Sequence, residues 1–169
     1  MTTLFKPALI AATFALLAAC SKQEAPLQLV EPTRDTVCSL DGMTLVDYPG
    51  PKGQIHYAGG EVNFFCDSTE LVSTYLKPEQ KKRIRAAYVQ DMGKTPWDKP
   101  SGNWIDATKA LYVQGSKKHG SMGPTLATFA NQADADKFVA EQGGKVFKFG
   151  ELTPEMVRLD GGMQHDHPM

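Results

Sequence analysis

The sequence has 169 residues, of which 41% are hydrophobic and 22% are charged, and its net charge at pH 7 is −1. A near-neutral chain without a Lys/Arg stripe is not expected to bind nucleic acid. After the amino-terminal region, no apolar run approaches the ~20 residues of a transmembrane helix. The composition therefore favours a globular protein with one ordinary domain or two small ones.

Residues 1–19 are predicted to be a lipoprotein signal peptide, with a positive charge at Lys6 and an apolar run that ends directly before Cys20. This ending resembles a bacterial lipobox, in which Cys20 carries acyl chains such as palmitate and begins the mature protein. An ordinary signal peptide with an accidental cysteine is the alternative. Ser21, rather than Asp, follows the cysteine, as in lipoproteins that are sorted to the outer membrane. We therefore expect a lipid-anchored protein of the cell envelope that faces the periplasm. Residues 20–37 are predicted to be a flexible tether.

The first predicted module covers residues 38–93. Asp67 begins its helix as the cap, and Glu70 stands three residues later, as in a capping box. Pro78 restarts or kinks this helix. The predicted strands are residues 43–48, 54–57, 62–66 and 87–90.

Residues 94–103 are rich in turn-forming residues and are predicted to be a linker. The second predicted module covers residues 104–158, and Asn131 caps its helix, which a Gly-Gly pair ends. Its predicted strands are residues 104–108, 110–114, 125–129 and 145–149. Residues 159–169 form a Met/His-rich tail.

Two short sequences recur along the chain. Residues 64–67 before the first helix resemble residues 128–131 before the second, and Tyr88-Val-Gln recurs as Tyr112-Val-Gln. The repeat predicts an α+β fold of two small similar modules, each a short, mostly antiparallel sheet packed with one helix in ββαβ-like order. One continuous α+β domain is the alternative.

Apart from Cys20, the chain has two cysteines, Cys38 and Cys66. Two thiols in an oxidising compartment often form a disulfide, and their spacing leaves the disulfide and the free thiols equally open. Cys66 lies in an apolar run before the helix cap, where a free cysteine behaves as a small hydrophobic residue. Cys38 lies at the end of the predicted tether, where we expect solvent and a partner to reach it.

Thiol and thioether side chains select Cu(I) over harder cations. Cys38 and Met43 stand five positions apart across an Asp-Gly turn, and Met92 and Met122 each precede a glycine in a predicted loop. These four residues are the candidate metal ligands, although each loop methionine is equally open to a packing role. The tail is predicted to be an auxiliary, low-specificity copper or zinc site. Its candidate ligands are Met163, His165, His167 and Met169.

Several strings together resemble the NosL family. They are D-G-M-x-L-x-D-Y-P-G-P-K-G-Q-I at 41–55, F-F-C-D at 64–67, Y-V-Q-D-M-G at 88–93, W-I-D-A at 104–107 and G-S-M-G-P-T-L-A at 120–127. The resemblance implies a copper-binding lipoprotein that serves denitrification by delivering Cu(I) to the sulfide-bridged copper site of nitrous oxide reductase. It implies two partners, the reductase apoprotein and a membrane transporter complex of the maturation pathway.

The resemblance also implies the ligands. Cys38 and Met43 belong to the leading cysteine-to-Gly-Met motif, and Met92 and Met122 belong to the two other Met-Gly strings. Many members have C-x-x-C-G-M, whereas Asp41 stands here at the second cysteine, which leaves one thiolate with thioether or His ligands. We expect capture by Cys38 with Met43, closure by Met122 or Met92, and ligand exchange on docking to the acceptor.

Binding is favoured over catalysis because the chain has no nucleophile elbow, zinc-protease motif, C-x-x-C motif or phosphate loop. Two alternatives stay open. The resemblance implies a fold similar to part of organomercurial lyase, which suggests a thiol-dependent lyase that uses Cys38, Cys66 and Asp41. The other alternative is a metal-free interaction lipoprotein in which the soft residues are core.

Overall fold

The computed structural model describes residues 27–159. The predicted lipidation site, Cys20, lies outside these residues. So do the predicted tail ligands Met163, His165, His167 and Met169. The described chain is mixed α/β structure with antiparallel sheets and few helices, which confirms the predicted α+β class. Within the described range, no helix has the length and apolar character needed to cross a membrane.

The first sheet has four antiparallel strands. They are β1 (Gly53–Tyr57), β2 (Val62–Phe65), β3 (Ile84–Gln90) and β4 (Trp104–Asp106), in the spatial order β2-β1-β3-β4. Helices α1 (Ser68–Leu76) and α2 (Pro78–Lys81) connect β2 to β3. Strand β1 lies between two neighbours and is buried along its whole length. Its Ile55 shares a core with Leu71 of α1.

The second sheet has three antiparallel strands. The elements of this half are β5 (Leu111–Gln114), β6 (His119–Gly120), β7 (Gly123–Pro124), β8 (Ala127–Phe129), α3 (Gln132–Gln142) and β9 (Lys145–Lys148). The sheet has the order β8-β5-β9, and β6 and β7 form a separate small hairpin between β5 and β8 in the sequence.

Both sheets contain the same ββαβ unit. In each unit the first strand is central and pairs with the second strand on one side and with the strand after the helix on the other. The register agrees as well, since Gly53 pairs with Phe65 in the first unit and Leu111 pairs with Phe129 in the second. This agreement defines which positions of the two units correspond.

The predicted helix caps are confirmed. Asp67 precedes α1 and Asn131 precedes α3, and each side chain accepts a hydrogen bond from a backbone N–H of the first turn. The second recurring string has no structural counterpart, because Tyr88 lies in β3 and Tyr112 lies in β5. Only the string before each helix therefore marks equivalent positions.

The strand predicted at residues 43–48 is wrong. Leu45–Asp47 form a short 3-10 helix, and the segment pairs only through an isolated bridge between Val37 and Thr44. Leu45 is fully buried with the two cysteines in a small cluster of its own. A single buried anchor, rather than a ladder of hydrogen bonds, fixes this segment.

The two units share a core. Ile55 of the first sheet belongs to the same buried cluster as Tyr112 and Leu126 of the second unit. Strand β4, which the sequence division assigns to the second module, hydrogen bonds to β3 of the first sheet.

Part of the segment predicted as a tether lies against the first sheet. The Val30 N–H donates to Oε1 of Gln54, and the Gln54 amide donates back to the Val30 carbonyl, both at 3.1 Å. The Glu31 carboxylate accepts from the Gly102 N–H at 2.7 Å and from the Trp104 indole at 2.8 Å. These bonds fix residues 30 and 31 to the sheet.

Candidate metal centre

A tight turn places Cys38. The Cys38 N–H donates to the Met43 carbonyl at 2.8 Å, and the Gly42 N–H donates to the Cys38 carbonyl at 3.0 Å. Gly42 has a φ of +76°, a left-handed conformation that glycine adopts without steric cost. The Asp41 carboxylate accepts a hydrogen bond from the Met43 N–H at 2.9 Å. The Asp-Gly pair therefore closes the loop between the thiol and the thioether.

The start of α1 places Cys66 and Glu70. Cys66 precedes the Asp67 cap, and Glu70 follows four residues after Cys66, a spacing that puts two side chains on one side of a helix. The predicted capping box at Glu70 is wrong. Its side chain is 5% exposed and lies against the thiols rather than the helix cap.

Four potential ligand groups converge between the turn and the helix. One ligand atom from each of Cys38, Asp41, Cys66 and Glu70 lies within 4.8 Å of the others. The Sγ atoms of Cys38 and Cys66 lie 3.3 and 3.6 Å from Oε2 of Glu70. Both thiols are free and buried. The expected solvent exposure of Cys38 is wrong, since that residue is 2% exposed.

The two thiols titrate differently because they share a hydrogen bond. The Cys66 thiol donates toward Cys38, and backbone N–H groups of Cys66, Leu40 and Asp41 add to this effect. Together they lower the pKa of Cys38 from its ordinary 9.0 to about 6, although burial opposes them. The same hydrogen bond, aided by burial, raises the pKa of Cys66. At neutral pH the pair therefore carries one thiolate, on Cys38.

Glu70 holds a proton next to this thiolate. Burial raises the pKa of Glu70 from its ordinary 4.5 to about 8, and the charge of Cys38 adds to the rise. A protonated carboxyl group can donate a hydrogen bond to a neighbouring anion. The cluster is therefore a thiolate with two proton-bearing neighbours.

A buried lysine places a positive charge near the thiols. Lys52 is 2% exposed, and its ammonium donates to the carbonyls of Pro49 and Cys66 at 3.0 Å each. Burial lowers the pKa of Lys52 to about 8, while the nearby acids Cys66, Asp67 and Glu70 oppose this effect. Lys52 thus fixes the backbone of Cys66 and supplies a positive charge beside the thiolate.

The structure places the three candidate methionines differently. Met43 is half-buried and packs against the small cluster that contains Cys66. Met122 is 62% exposed in the turn of the β6–β7 hairpin, and the neighbouring Ser121 hydroxyl lies beside Cys66 and lowers the pKa of that thiol. Met92 packs in a separate apolar cluster of the second unit. The structure therefore places Met43 near the thiols and the residue before Met122 beside Cys66, and it does not bring Met92 to them.

The hairpin that carries Met122 is held against the start of α1. Gly120 of β6 has no room for a side chain beside the Asp67 carboxylate. Thr125, directly after β7, donates a hydrogen bond from its hydroxyl to Oδ1 of Asp67 at 2.6 Å. Met122 thus lies on an element that is anchored next to the candidate centre.

A comparison of the sequence with protein-family models finds the NosL family over residues 29–157. The chain belongs to the NosL family. The resemblance inferred from its motifs is therefore confirmed.

Members of the NosL family are similar to this chain over most of its length. The copper-binding lipoprotein NosL of Stutzerimonas stutzeri is 38% identical over 153 residues, which are 88% of this chain and 80% of the relative. The copper-binding lipoprotein NosL of Achromobacter cycloclastes is 38% identical over 165 residues, which are 93% of this chain and 84% of the relative. The crystal structure of the copper chaperone NosL from Shewanella denitrificans has 36% identity and a TM-score of 0.73. The match covers 76% of this chain and 98% of the chain in that crystal structure.

Sequence reasoning gave Cys66 and Asp41 a role only in the lyase alternative and did not assign Glu70 or Lys52 to the centre. The four-residue spacing from Cys66 to Glu70 across a helix cap was a usable signal for Glu70, because the cap fixes where the helix begins. Lys52 gives no comparable signal, since a buried lysine and an exposed one look the same in a single sequence.

Proposed function

We propose that this NosL family member is a Cu(I)-binding metallochaperone. The observation that carries the proposal is the convergence of the Cys38 and Cys66 thiols with the Glu70 carboxyl group, beside the Met43 thioether. Thiolate and thioether ligands favour Cu(I) over harder cations. The relatives named as copper-binding lipoproteins, and the related copper chaperone structure, support copper as the cargo.

The proposed capture begins at Cys38, because a pKa of about 6 leaves this thiol deprotonated at neutral pH. Met43 adds its thioether from the same turn. Cys66 becomes the second thiolate when copper displaces its proton, as metal binding generally does at thiols. Met122 closes over the ion from the exposed turn of the neighbouring hairpin. Met92 is the alternative closing ligand, and it would have to leave the apolar cluster that holds it.

The proposed release is ligand exchange on docking to an acceptor. The proton that returns to Cys66 restores the copper-free cluster, so copper leaves without a change of oxidation state or covalent bonding in the chain. The role is binding and transfer without turnover, and the protein is therefore not an enzyme in this proposal.

The proposed destination is the copper–sulfide site of nitrous oxide reductase. The partners are then the reductase apoprotein and the membrane transporter complex of the maturation pathway, and the process is denitrification. The names of the relatives support copper as the cargo of this route. The destination, the partners and the process are proposed from the family resemblance of the sequence motifs. We also propose a lipid anchor at Cys20 that holds the protein in the periplasm at the outer membrane, and an auxiliary metal site in the tail. The lipoprotein relatives support the anchor.

Anaerobic titration with Cu(I) against a competing chelator tests the cargo. We expect one tightly bound equivalent in the unchanged protein and its loss in Cys38→Ser. A variant that lacks residues 161–169 controls for the tail and should keep the tight equivalent. Equal binding by the unchanged protein and Cys38→Ser, with loss in the tail variant, would contradict the proposal.

A second candidate function is a thiol-dependent organometal lyase, because Cys38, Cys66 and Asp41 share one cluster. In that reaction the two sulfurs would take the metal while an acidic group gives a proton to the departing carbon, so that the carbon–metal bond is replaced by a carbon–hydrogen bond. Release of methane from methylmercury by the protein, absent in Cys66→Ala, would establish this function. No methane above the rate of free thiols would exclude it.

A further inference from the structure

A cavity of about 180 Å³ lies between the β1–β2 hairpin and the junction of α1 with α2. At ~30 Å³ for each water molecule, this space is roughly that of six waters. Its walls include Ser39 and Leu40 of the turn, but none of the four groups of the candidate metal centre. The cavity is therefore a neighbour of the centre and not a part of it.

The charged lining of the cavity has an excess of positive charge. Lys77, Arg83 and Glu61 line it, which gives two cations and one anion. The Arg83 guanidinium lies 3.9 Å from Oε2 of Glu61 and 5.3 Å from the centre of the Tyr57 ring. Among residues 27–159, no acidic group forms an ion pair with Lys77. Lys77 and Arg83 are exposed, and the lining carries one more positive charge than negative charge, which favours an anionic ligand.

One uncharged group of the lining also lacks a hydrogen-bond partner. Thr74 is buried, and its hydroxyl has no hydrogen-bond partner in the described chain. A buried polar group without a partner is uncommon in native structures and calls for an explanation such as a missing ligand or water. Gln80 adds an amide to the same wall. A single carboxylate group matches this lining, because it carries one negative charge and has two oxygens that accept hydrogen bonds.

The rim shows what kind of molecule carries this carboxylate. Leu40 is 45% exposed and lines the same cavity as the charged groups. A large exposed apolar side chain next to a small polar cavity fits a peptide segment that covers both, better than it fits a small free acid. The volume also suits one Asp or Glu side chain.

We propose that this cavity binds the carboxylate side chain of an acidic residue in a partner protein, with an adjacent apolar residue of the partner covering Leu40. Arg83 and Lys77 hold the carboxylate, and the segment lies along the turn that carries Cys38. Ser39 lines the cavity, follows Cys38 directly in the turn, and holds the turn to strand β2. Its N–H donates to the Phe64 carbonyl at 2.8 Å, and its hydroxyl accepts from the Phe64 N–H at 3.1 Å. The inference does not depend on the metal and goes beyond the proposed copper binding.

The test is an NMR titration of the copper-free, ¹⁵N-labelled protein with N-acetyl-Leu-Glu-amide. We expect saturable shifts at the amides of Ser39, Thr74 and Arg83, and affinity reduced about tenfold or more in Arg83→Gln and in Lys77→Gln, because each loses a charge-assisted hydrogen bond. Lys82→Gln is the matched control, since Lys82 is exposed on the same segment and does not line the cavity. This variant should bind as the unchanged protein does.

Two further ligands test whether the negative charge is required and whether the carboxylate comes from a peptide or from a small free acid. N-acetyl-Leu-Gln-amide has the same shape without the charge, and equal binding of this peptide would overturn the proposal. Butyrate carries one carboxylate without the apolar neighbour, and we expect it to bind at least several-fold more weakly than the Glu peptide. Butyrate binding as tight as the peptide would overturn the assignment to a partner protein. Unchanged affinity in both Arg83→Gln and Lys77→Gln would overturn the site itself.

Discussion

The two ββαβ units use the same local framework for different purposes. Strand register and helix caps place three residues of the first unit at positions that correspond to three residues of the second. The corresponding pairs are Lys52 and Ala110, Cys66 and Ala130, and Glu70 and Asp134. In the second unit Asp134 completes its helix cap, since its N–H donates to Oδ1 of Asn131 at 3.0 Å and its carboxylate accepts from the Asn131 amide at 2.7 Å. In the first unit Glu70 is buried against two thiols.

The different surroundings of Asp134 and Glu70 distinguish a helix start that only stabilises the fold from one that contributes to a functional site. A carboxyl group in a helix cap is solvated and stabilises the helix. A carboxyl group buried among thiols loses its hydration and stabilises little, which is the usual sign of a functional site. The lysine at position 52 supports the same conclusion, because alanine at position 110 is enough for the fold of the second unit.

Replacing Lys52 by the alanine of the second unit should have the largest effect. Lys52→Ala leaves the Cys38 thiolate and Asp67 without their buried cation, so we expect the free energy of unfolding to fall by about 3 kcal/mol. Urea denaturation measures this loss. Lys109→Ala is the control, since the Lys109 side chain is exposed and pairs only at the surface with Asp106. A loss of similar size in both variants would contradict the role of Lys52.

Replacing Cys66 by the alanine of the second unit should weaken Cu(I) binding next most strongly. Loss of a neighbour of a metal ligand costs 10–100-fold in affinity, so loss of a proposed ligand should cost about 100-fold or more. Chelator competition measures the affinity. Ala130→Ser, at the corresponding position, should leave it unchanged. Unchanged affinity in Cys66→Ala would remove this thiol from the centre.

The pH dependence of stability should differ between the unchanged protein and Glu70→Gln. From pH 4.5, the ordinary pKa of Glu70, to about 6, the lowered pKa of Cys38, the folded protein keeps a proton on Glu70 that the unfolded chain has lost. Stability therefore falls as pH rises, by about 2 kcal/mol over this window. From pH 6 to 8 the folded state keeps the Glu70 proton but lacks the Cys38 proton, so the two effects cancel.

Urea denaturation from pH 4.5 to 8 measures this dependence. Glu70→Gln should lack the fall between pH 4.5 and 6, because its amide does not titrate. Parallel curves for the two proteins would show that Glu70 keeps an ordinary pKa in the folded state.

The cap of the second unit should give the smallest effect. Asn131→Ala removes one capping hydrogen bond and should lower the free energy of unfolding by about 1 kcal/mol. Because α3 contributes no group to the candidate metal centre, the Cu(I) affinity of Asn131→Ala should equal that of the unchanged protein. A changed affinity would show that the second helix start contributes to the centre.

Local signals explain what the sequence could predict. Asp67 and Asn131 stand directly before periodic helices, and a cap is recognisable from a few neighbouring residues. The turn from Cys38 to Met43 is local as well. The burial of Cys38 was not predictable, because it depends on packing of this turn against α1. The orientation of Glu70 was hidden for the same reason, since a capping box and a buried carboxyl group share one sequence pattern.

X-ray absorption at the copper edge, on protein loaded with one equivalent of Cu(I), tests the central claim most directly. The account predicts a first shell of sulfur with two or more sulfur atoms, because Cys38, Cys66 and Met43 are the soft ligands at the first helix start. Cys38→Ser removes one of these ligands, so the number of sulfur neighbours should fall. A shell of nitrogen and oxygen in the unchanged protein would contradict the account and move the copper away from the thiols.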